Sequence, residues 1–99
     1  MRKIAVILSG CGVFDGAEIQ ESVLTMLALE AKGFHVQCVA PNIDKAVVSH
    51  LTQQDTTGSR NCLEEAARIA RGDVLNLAVL ILMLLMVQFI LVDLASQKI

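Results

Sequence analysis

Two glutamates near the N-terminus are the residues whose type and spacing best fit a catalytic role. Glu18 and Glu21 are three positions apart, so in a helix they share one face of the first turn. A carboxylate in that place can hold or deprotonate a nucleophile supplied by another part of the protein. It can equally be a favourable negative charge at the start of a helix, where the macrodipole is positive. The spacing leaves both interpretations open.

A glycine-rich segment directly precedes the two glutamates. Gly10, Gly12 and Gly16 follow an apolar run, and Cys11 lies between the first two. A dinucleotide-binding loop has a similar pattern, but here the third glycine comes one residue late and the next predicted strand carries no acidic residue for a ribose. A tight turn between a strand and a helix is therefore the better interpretation. Cys11 is either a reactive thiol at the sheet edge or a small residue in a crowded turn.

Composition excludes several classes of function. The net charge is −2 and the basic residues are scattered, so no nucleic-acid partner is expected. The three cysteines are widely spaced without a CxxC pair, which argues against a zinc site and against a disulfide framework. We therefore expect no metal and a reducing environment, and we predict a cytoplasmic protein. His35 and His50 are expected at a strand start and in a surface loop, without partners.

Strands and helices alternate along the first part of the chain and predict an α/β domain with a βαβ unit. Residues 4–8 predict a central parallel strand buried on both faces, and residues 35–40 a second strand. Residues 60–71 predict an amphipathic helix. Residues 45–51 form either a short helix or a strand, and residues 52–59 a polar loop. Residues 17–32 have helical periodicity, with apolar positions at Ile19, Val23, Met26, Leu27 and Leu29.

The sequence changes character after Ala78. Residues 79–92 contain no charged residue, glycine or proline, and we expect this apolar segment to be helical. Residues 74–92 approach the roughly 20 apolar positions that a membrane-spanning helix needs, with Asp93 and Lys98 as flanking charges. On this alternative, the protein is a small membrane-anchored or partner-binding module with a C-terminal transmembrane helix.

Several segments before Ala78 resemble one protein family. Residues 3–19 read KIAVILSGCGVFDGAEI and are similar to the opening of the ElbB-type glyoxalases, also called isoprenoid-biosynthesis glyoxalases. Ala40-Pro41, Ser59-Arg60-Asn61 and residues 65–72 (EAARIARG) match as well. This family belongs to the class I glutamine-amidotransferase-like superfamily, with the PfpI proteins. The resemblance covers residues 1–78 and implies the N-terminal part of a flavodoxin-like, three-layer sandwich with a parallel sheet.

The resemblance also implies a function. Family members convert glyoxal to glycolate without glutathione, so the substrate of the intact protein is a small dicarbonyl; no cofactor is expected, and the intact protein is a homodimer. Glu21 matches the family glutamate that contacts the catalytic cysteine, and Gly10, Cys11, Gly12 and Glu18 are the expected substrate-binding residues. Neither the turn that carries that cysteine nor the Pro-Gly-Gly-Phe-Gly loop of the family occurs in this chain.

The genetic code offers an explanation for the missing loop. Suppose that the reading frame is shifted after Ala78, so that each codon consists of the last base of one codon as translated here and the first two bases of the next. In that frame, residues 90–99 permit Pro-Gly-Gly-Phe-Gly-Val-Ala-Lys-Asn. The family has this sequence at the same distance from the Arg-Gly helix end, except that it has Ala where the shifted frame permits Val. We therefore expect residues 1–78 to be a truncated glyoxalase-type domain and residues 79–99 to be a tail of frameshift origin. Because the nucleophilic cysteine is absent, we predict that this chain is inactive.

Overall fold

The computed structural model describes residues 2–96 of the chain, and the side chains as far as Met86. It contains five strands and three helices within those residues. Their bounds in chain order are β1 (Lys3–Ile7), α1 (Ile19–Ala31), β2 (His35–Ala40), β3 (Asp44–Val48), β4 (Asp55–Asn61), α2 (Cys62–Ala70), β5 (Val74–Asn76) and α3 (Leu77–Ser96). The predicted α/β fold with a parallel sheet is confirmed.

The main sheet is parallel and has the strand order β1-β2-β5. Val6 lies opposite Cys38, and Cys38 lies opposite Val74, so these three residues share one face. The prediction that the first strand is central and buried on both faces is wrong. Strand β1 lies at the edge of this sheet, and its Ile7 side chain is 61% exposed. The apolar sequence of β1 indicated a strand correctly, but it could not show which neighbouring elements are present.

Helices α1 and α2 pack against the same face of the sheet. The core cluster comprises Leu8, Cys38, Ala40 and Ala66, with Val6, Ala17, Met26, Val36, Leu63, Ile69, Ala70 and Val74 packed against it. Helix α1 joins this core mainly through Met26, whereas Ile19, Val23 and Leu27 are exposed. These apolar positions stay exposed because α1 is apolar around most of its circumference and the sheet covers only one side.

Strands β3 and β4 form an antiparallel hairpin separate from the main sheet. The sequence of residues 45–51 fits either a short helix or a strand, and in the structure residues 44–48 form a strand. The prediction of a polar loop over residues 52–59 is wrong, because residues 55–61 form β4. The sequence of β4 is polar and contains a glycine, so it lacks the apolar pattern that predicts a strand. Pairing with β3 in the hairpin, rather than burial, stabilises it.

Helix α2 begins and ends with clear local signals. The Asn61 side-chain oxygen accepts a hydrogen bond from the Glu64 N–H at 2.9 Å, as expected of an N-cap. At the other end, Arg71 takes a left-handed conformation at φ 57°, and the Gly72 N–H donates to the Ala67 carbonyl. The predicted helix over residues 60–71 is confirmed, with its first residues assigned to the end of β4 instead.

The apolar C-terminal segment is helical in the part that the structure describes. Helix α3 begins at Leu77, so the sequence change after Ala78 falls inside its first turn. In the part of the chain that is described with its side chains, which ends at Met86, no helix is both long and apolar enough to cross a membrane. Residues 97–99, including the expected flanking charge Lys98, lie outside the described residues.

Candidate functional site

The two glutamates lie together at the carboxyl end of β1. Glu18 is the N-cap of α1: its Oε2 accepts a hydrogen bond from the Glu21 N–H at 2.6 Å. Its carbonyl oxygen also accepts a bond from the Ser22 hydroxyl at 2.6 Å. The Glu18 carboxylate therefore stabilises the start of the helix, as one of the two interpretations from sequence required.

The Glu21 side chain does not cap the helix. Its carboxylate is exposed, and no hydrogen bond or salt bridge to it occurs among the side chains described up to Met86. It lines an open pocket of about 250 Å³ beside the end of β1. The pocket lining consists of Val6, Ile7, Leu8, Glu18, Glu21, Ser22 and Thr25. A free carboxylate above an open strand edge can hold or deprotonate a group that approaches from outside the described part of the chain.

Gly10, Cys11 and Gly12 do not line this pocket. They form a tight turn in which the Gly12 N–H donates to the Ala17 carbonyl at 3.0 Å. A Cβ atom on Gly16 would lie only 2.6 Å from the Cys11 nitrogen, so the turn closes on itself at that glycine. The structure thus brings together Glu18 and Glu21, and it places the three other candidate residues on a turn that faces the β3–β4 hairpin.

Three residues that the sequence did not single out tie this turn to the hairpin; we call Asp15, His50 and Arg60 the loop–hairpin cluster. Asp15 Oδ2 accepts a hydrogen bond from the Val48 N–H at 2.9 Å and lies 3.3 Å from Arg60 Nη1. The Arg60 Nη2 group donates to the Cys11 carbonyl at 2.8 Å. The cluster therefore fixes both ends of the glycine-rich turn.

His50 completes the loop–hairpin cluster from the end of the hairpin. Its Nε2 accepts a hydrogen bond from the Val13 N–H at 2.9 Å, and its ring lies beside that of Phe14 at a centroid distance of 5.1 Å. The prediction that His50 has no partner is wrong. Its partners on the glycine-rich turn, Val13, Phe14 and Asp15, are 35 to 37 residues away along the chain, and no sequence periodicity links a loop histidine to them.

The electrostatics of this region favour the charged forms of Asp15, Arg60 and Glu65. Burial alone would raise the pKa of Asp15, but the Val48 hydrogen bond, Arg60 and His50 together hold it below its usual value. The hydrogen bond to Glu65 raises the pKa of Arg60, and the same bond lowers the pKa of Glu65 despite partial burial. Arg60 is therefore shared between a carboxylate on the turn and one on α2, which makes it the central cation of this region.

The cysteines show no arrangement for nucleophilic catalysis within the described residues. Cys38 is buried in the core, and burial raises the pKa of its thiol, with Asp73 and Glu30 adding to the effect. Cys62 is buried at the start of α2, with its sulfur 3.7 Å from the Ser9 carbonyl. Neither buried thiol lines the Glu21 pocket, and neither does Cys11. No group of three or more metal-ligating side chains occurs in this part of the chain either.

Comparisons with known proteins place this geometry in a superfamily. No protein-family model matches the chain. The chain is 45% identical over 78 residues to "Glutamine amidotransferase-like class 1 domain-containing protein 3, mitochondrial" of Homo sapiens. It is 42% identical over 78 residues to "ES1 protein homolog, mitochondrial" of Rattus norvegicus. Each match covers 77% of this chain and only 29% of the relative's length.

A solved structure agrees with the sequence matches. The crystal structure of an isoprenoid biosynthesis protein with an amidotransferase-like domain from Ehrlichia chaffeensis aligns with a TM-score of 0.74 and 45% identity. It covers 77% of this chain and 36% of that chain. Over the matched part, the chain is similar to the class 1 glutamine amidotransferase-like proteins. Its parallel sheet and flanking helices correspond to part of the amidotransferase-like, flavodoxin-like fold.

The relatives correct the expected location. The matched proteins of Homo sapiens, Rattus norvegicus and Danio rerio are all named mitochondrial, which contradicts the prediction of a cytoplasmic protein. That prediction used the unpaired cysteines. Free thiols indicate a reducing environment, but they do not distinguish between the compartments that provide one.

Proposed function

We propose that the chain is the N-terminal part of a glyoxalase-type member of the amidotransferase-like superfamily, and that it is catalytically silent because the nucleophilic cysteine is missing. The observation that carries this proposal is the Glu21 pocket. Its carboxylate is exposed and unengaged at the carboxyl end of β1, where α/β proteins build their sites. The pocket offers an acid–base group without a thiol for it to activate.

In the intact enzyme, a cysteine thiolate would add to one aldehyde carbon of glyoxal. Transfer of a proton from the carbon that bears sulfur to the other carbon would then convert the adduct to a glycolyl thioester. Water would hydrolyse this thioester to glycolate and the free thiol. Glu21 would hold or deprotonate the thiol. Glu18 would set the position of Glu21 through the hydrogen bond from the Glu21 N–H at 2.6 Å.

The chain spans 29% of the length of the curated relatives that it matches. The exposed edge of the sheet supports the proposal. The apolar strand β1 lies at that edge with Ile7 61% exposed, although a strand of this composition is typical of the middle of a parallel sheet. The frameshift hypothesis would account for the uncovered strand, because the shifted tail permits the Pro-Gly-Gly-Phe-Gly loop that the resemblance requires.

A glyoxal assay tests the proposal. The purified chain should form no glycolate above the buffer rate, and the gene restored to the shifted frame and extended to full length should form it. In the restored protein, Glu21→Gln should lower the rate by about 10²-fold or more. The matched control is Glu30→Gln, which changes an exposed glutamate at the far end of α1 and should leave the rate unchanged.

Turnover by the chain as it stands would contradict the proposal, since Glu21 would then have a nucleophile among the described residues. A restored protein that forms no glycolate would contradict the glyoxalase assignment. Equal rates for wild type and Glu21→Gln would remove Glu21 from the mechanism while leaving the assignment intact.

A further inference from the structure

The hydrogen bonds of His50 define its tautomer. Its Nδ1 lies 3.0 Å from the Val48 carbonyl oxygen, which can only accept, so Nδ1 carries the proton. Its Nε2 accepts the Val13 N–H at 2.9 Å, which requires a free lone pair on that nitrogen. The imidazole that joins the glycine-rich turn to the hairpin is therefore neutral.

The Asp15 carboxylate has one oxygen without a partner. The Asp15 side chain is 3% exposed, and its Oδ1 is buried without a hydrogen bond among the described residues. His50 Nε2 lies 3.7 Å from this oxygen, slightly beyond hydrogen-bond distance. A buried carboxylate oxygen without a donor is unfavourable, and a donor placed at His50 Nε2 would relieve it.

We propose that His50 is a proton-operated switch for the glycine-rich turn. When the neutral ring takes up a proton from solvent at Nε2, it can no longer accept the Val13 N–H, and it donates to Asp15 Oδ1 instead. The Val13 N–H is then released from the hairpin. The exchange replaces one neutral hydrogen bond with one between two charged groups, which is the stronger type.

The surroundings of His50 suit such a switch. Its side chain is 40% exposed, so solvent protons reach the ring. The charged groups that face it are Asp15 on the turn and, behind that carboxylate, Arg60 on β4 and Glu65 on α2. Because Arg60 is already paired with both carboxylates, Asp15 Oδ1 keeps the capacity to accept one more donor.

The switch acts on the turn that carries Cys11 and Gly12. A Cβ atom on Gly12 would lie 2.4 Å from Asp15 Oδ1 and 3.1 Å from His50 Nε2, so the Gly12 backbone borders both partners. Movement of Val13 away from His50 thus begins one residue from this position. The switch changes the conformation of the turn and does not depend on the proposed glyoxalase chemistry.

Nuclear magnetic resonance of the full chain labelled with ¹⁵N-valine tests the switch. The Val13 amide resonance is assigned from its loss in Val13→Ile. Between pH 5 and 8, the range in which histidine side chains titrate, it should shift along a single titration curve. The shift should persist in His35→Gln and be absent in His50→Gln. These two variants change the chain's only two histidines, both of them exposed.

Asp15→Asn gives a second readout. Without the carboxylate, the protonated ring has no charged acceptor at the turn, so the shift of the Val13 resonance between pH 5 and 8 should be smaller. A Val13 resonance that does not move in the wild type, or that moves equally in His50→Gln, would overturn the proposal. If Asp15→Asn folds and leaves the size of the Val13 shift unchanged, the part assigned to Asp15 is wrong.

Discussion

Replacement of Arg60 by methionine should destabilise the protein far more than any other change of an exposed or half-exposed arginine. Arg60 is 30% exposed and contacts Asp15 Oδ2 at 3.3 Å, Glu65 Oε2 at 3.0 Å and the Cys11 carbonyl at 2.8 Å. Methionine retains much of the apolar stem but none of the donors. The variant therefore leaves the Asp15 carboxylate buried at 3% exposure without its cation.

The expected decrease in the free energy of unfolding combines the lost hydrogen bonds of Arg60 with the lost ion pair to Asp15. A hydrogen bond to a charged group contributes about 1.5–3 kcal/mol, and the removal of one partner of a buried ion pair costs about 3–5 kcal/mol. Asp15 keeps the Val48 hydrogen bond and Arg60 is partly solvated, so we expect a total near the lower end, about 3 kcal/mol. The matched control is Arg68→Met. Arg68 is 73% exposed and contacts Glu65 alone, so its loss should cost less than about 0.5 kcal/mol.

The difference in unfolding free energy between wild type and Arg60→Met should become smaller at acidic pH. The folded-state pKa of Asp15 lies below its usual value, so the stabilisation that Asp15 provides is complete above about pH 4 and is lost as the pH falls through the folded-state pKa. In Arg60→Met, burial is no longer offset by Arg60, so the pKa of Asp15 rises. Protonation of Asp15 then removes the buried negative charge in the variant. As a result, the difference in unfolding free energy from wild type becomes smaller between pH 7 and pH 4.

Urea denaturation followed by far-ultraviolet circular dichroism, at pH 7 and at pH 4, measures these differences. A loss below about 1 kcal/mol at pH 7 would show that Arg60 is not the central cation of the loop–hairpin cluster. An equal loss for Arg68→Met, or a difference that does not change with pH, would contradict the assignment of the effect to Asp15.

Three further predictions concern single positions. Glu18→Ala removes the N-cap of α1 and should lower the free energy of unfolding by about 1 kcal/mol, whereas Glu21→Ala should change it by less than about 0.5 kcal/mol in the same urea titrations. Gly16→Ala places a Cβ atom 2.6 Å from the Cys11 nitrogen, so thermal denaturation should show a markedly lower Tm. Iodoacetamide should modify half-buried Cys11 before Cys38, because Cys38 is buried and its pKa is raised. Peptide mass spectrometry of a time course measures the order of modification. Preferential modification of Cys38 would contradict the packing of the core.

Local signals made the elements of the main sheet predictable from sequence. The alternation between apolar strand and helix, ended by Gly33 and Pro41, located β2 with the bounds that the structure gives. Residues 60–71 predicted α2 because its apolar and charged positions separate at helical spacing. These features depend on residues close together in the chain.

The errors arise where distant parts of the chain meet. Strand β4 is polar and is stabilised by pairing with β3, so no burial pattern identified it. Asp15, His50 and Arg60 come from a loop, a hairpin end and a strand, and no sequence spacing indicated that they form one cluster. The exposure of β1 depends on which strands lie beside it, and that is not a property of its own residues.

The nucleotide sequence of the gene across the codons for Ala78 to Ile99 and beyond tests most directly whether this chain is the front part of a glyoxalase-type protein. We expect the shifted frame to encode Pro-Gly-Gly-Phe-Gly across residues 90–95 and then to continue open through a strand–turn–helix that carries a cysteine. An undisturbed frame that runs through Ile99 into unrelated sequence, with no such motif in the shifted frame, would contradict the proposal.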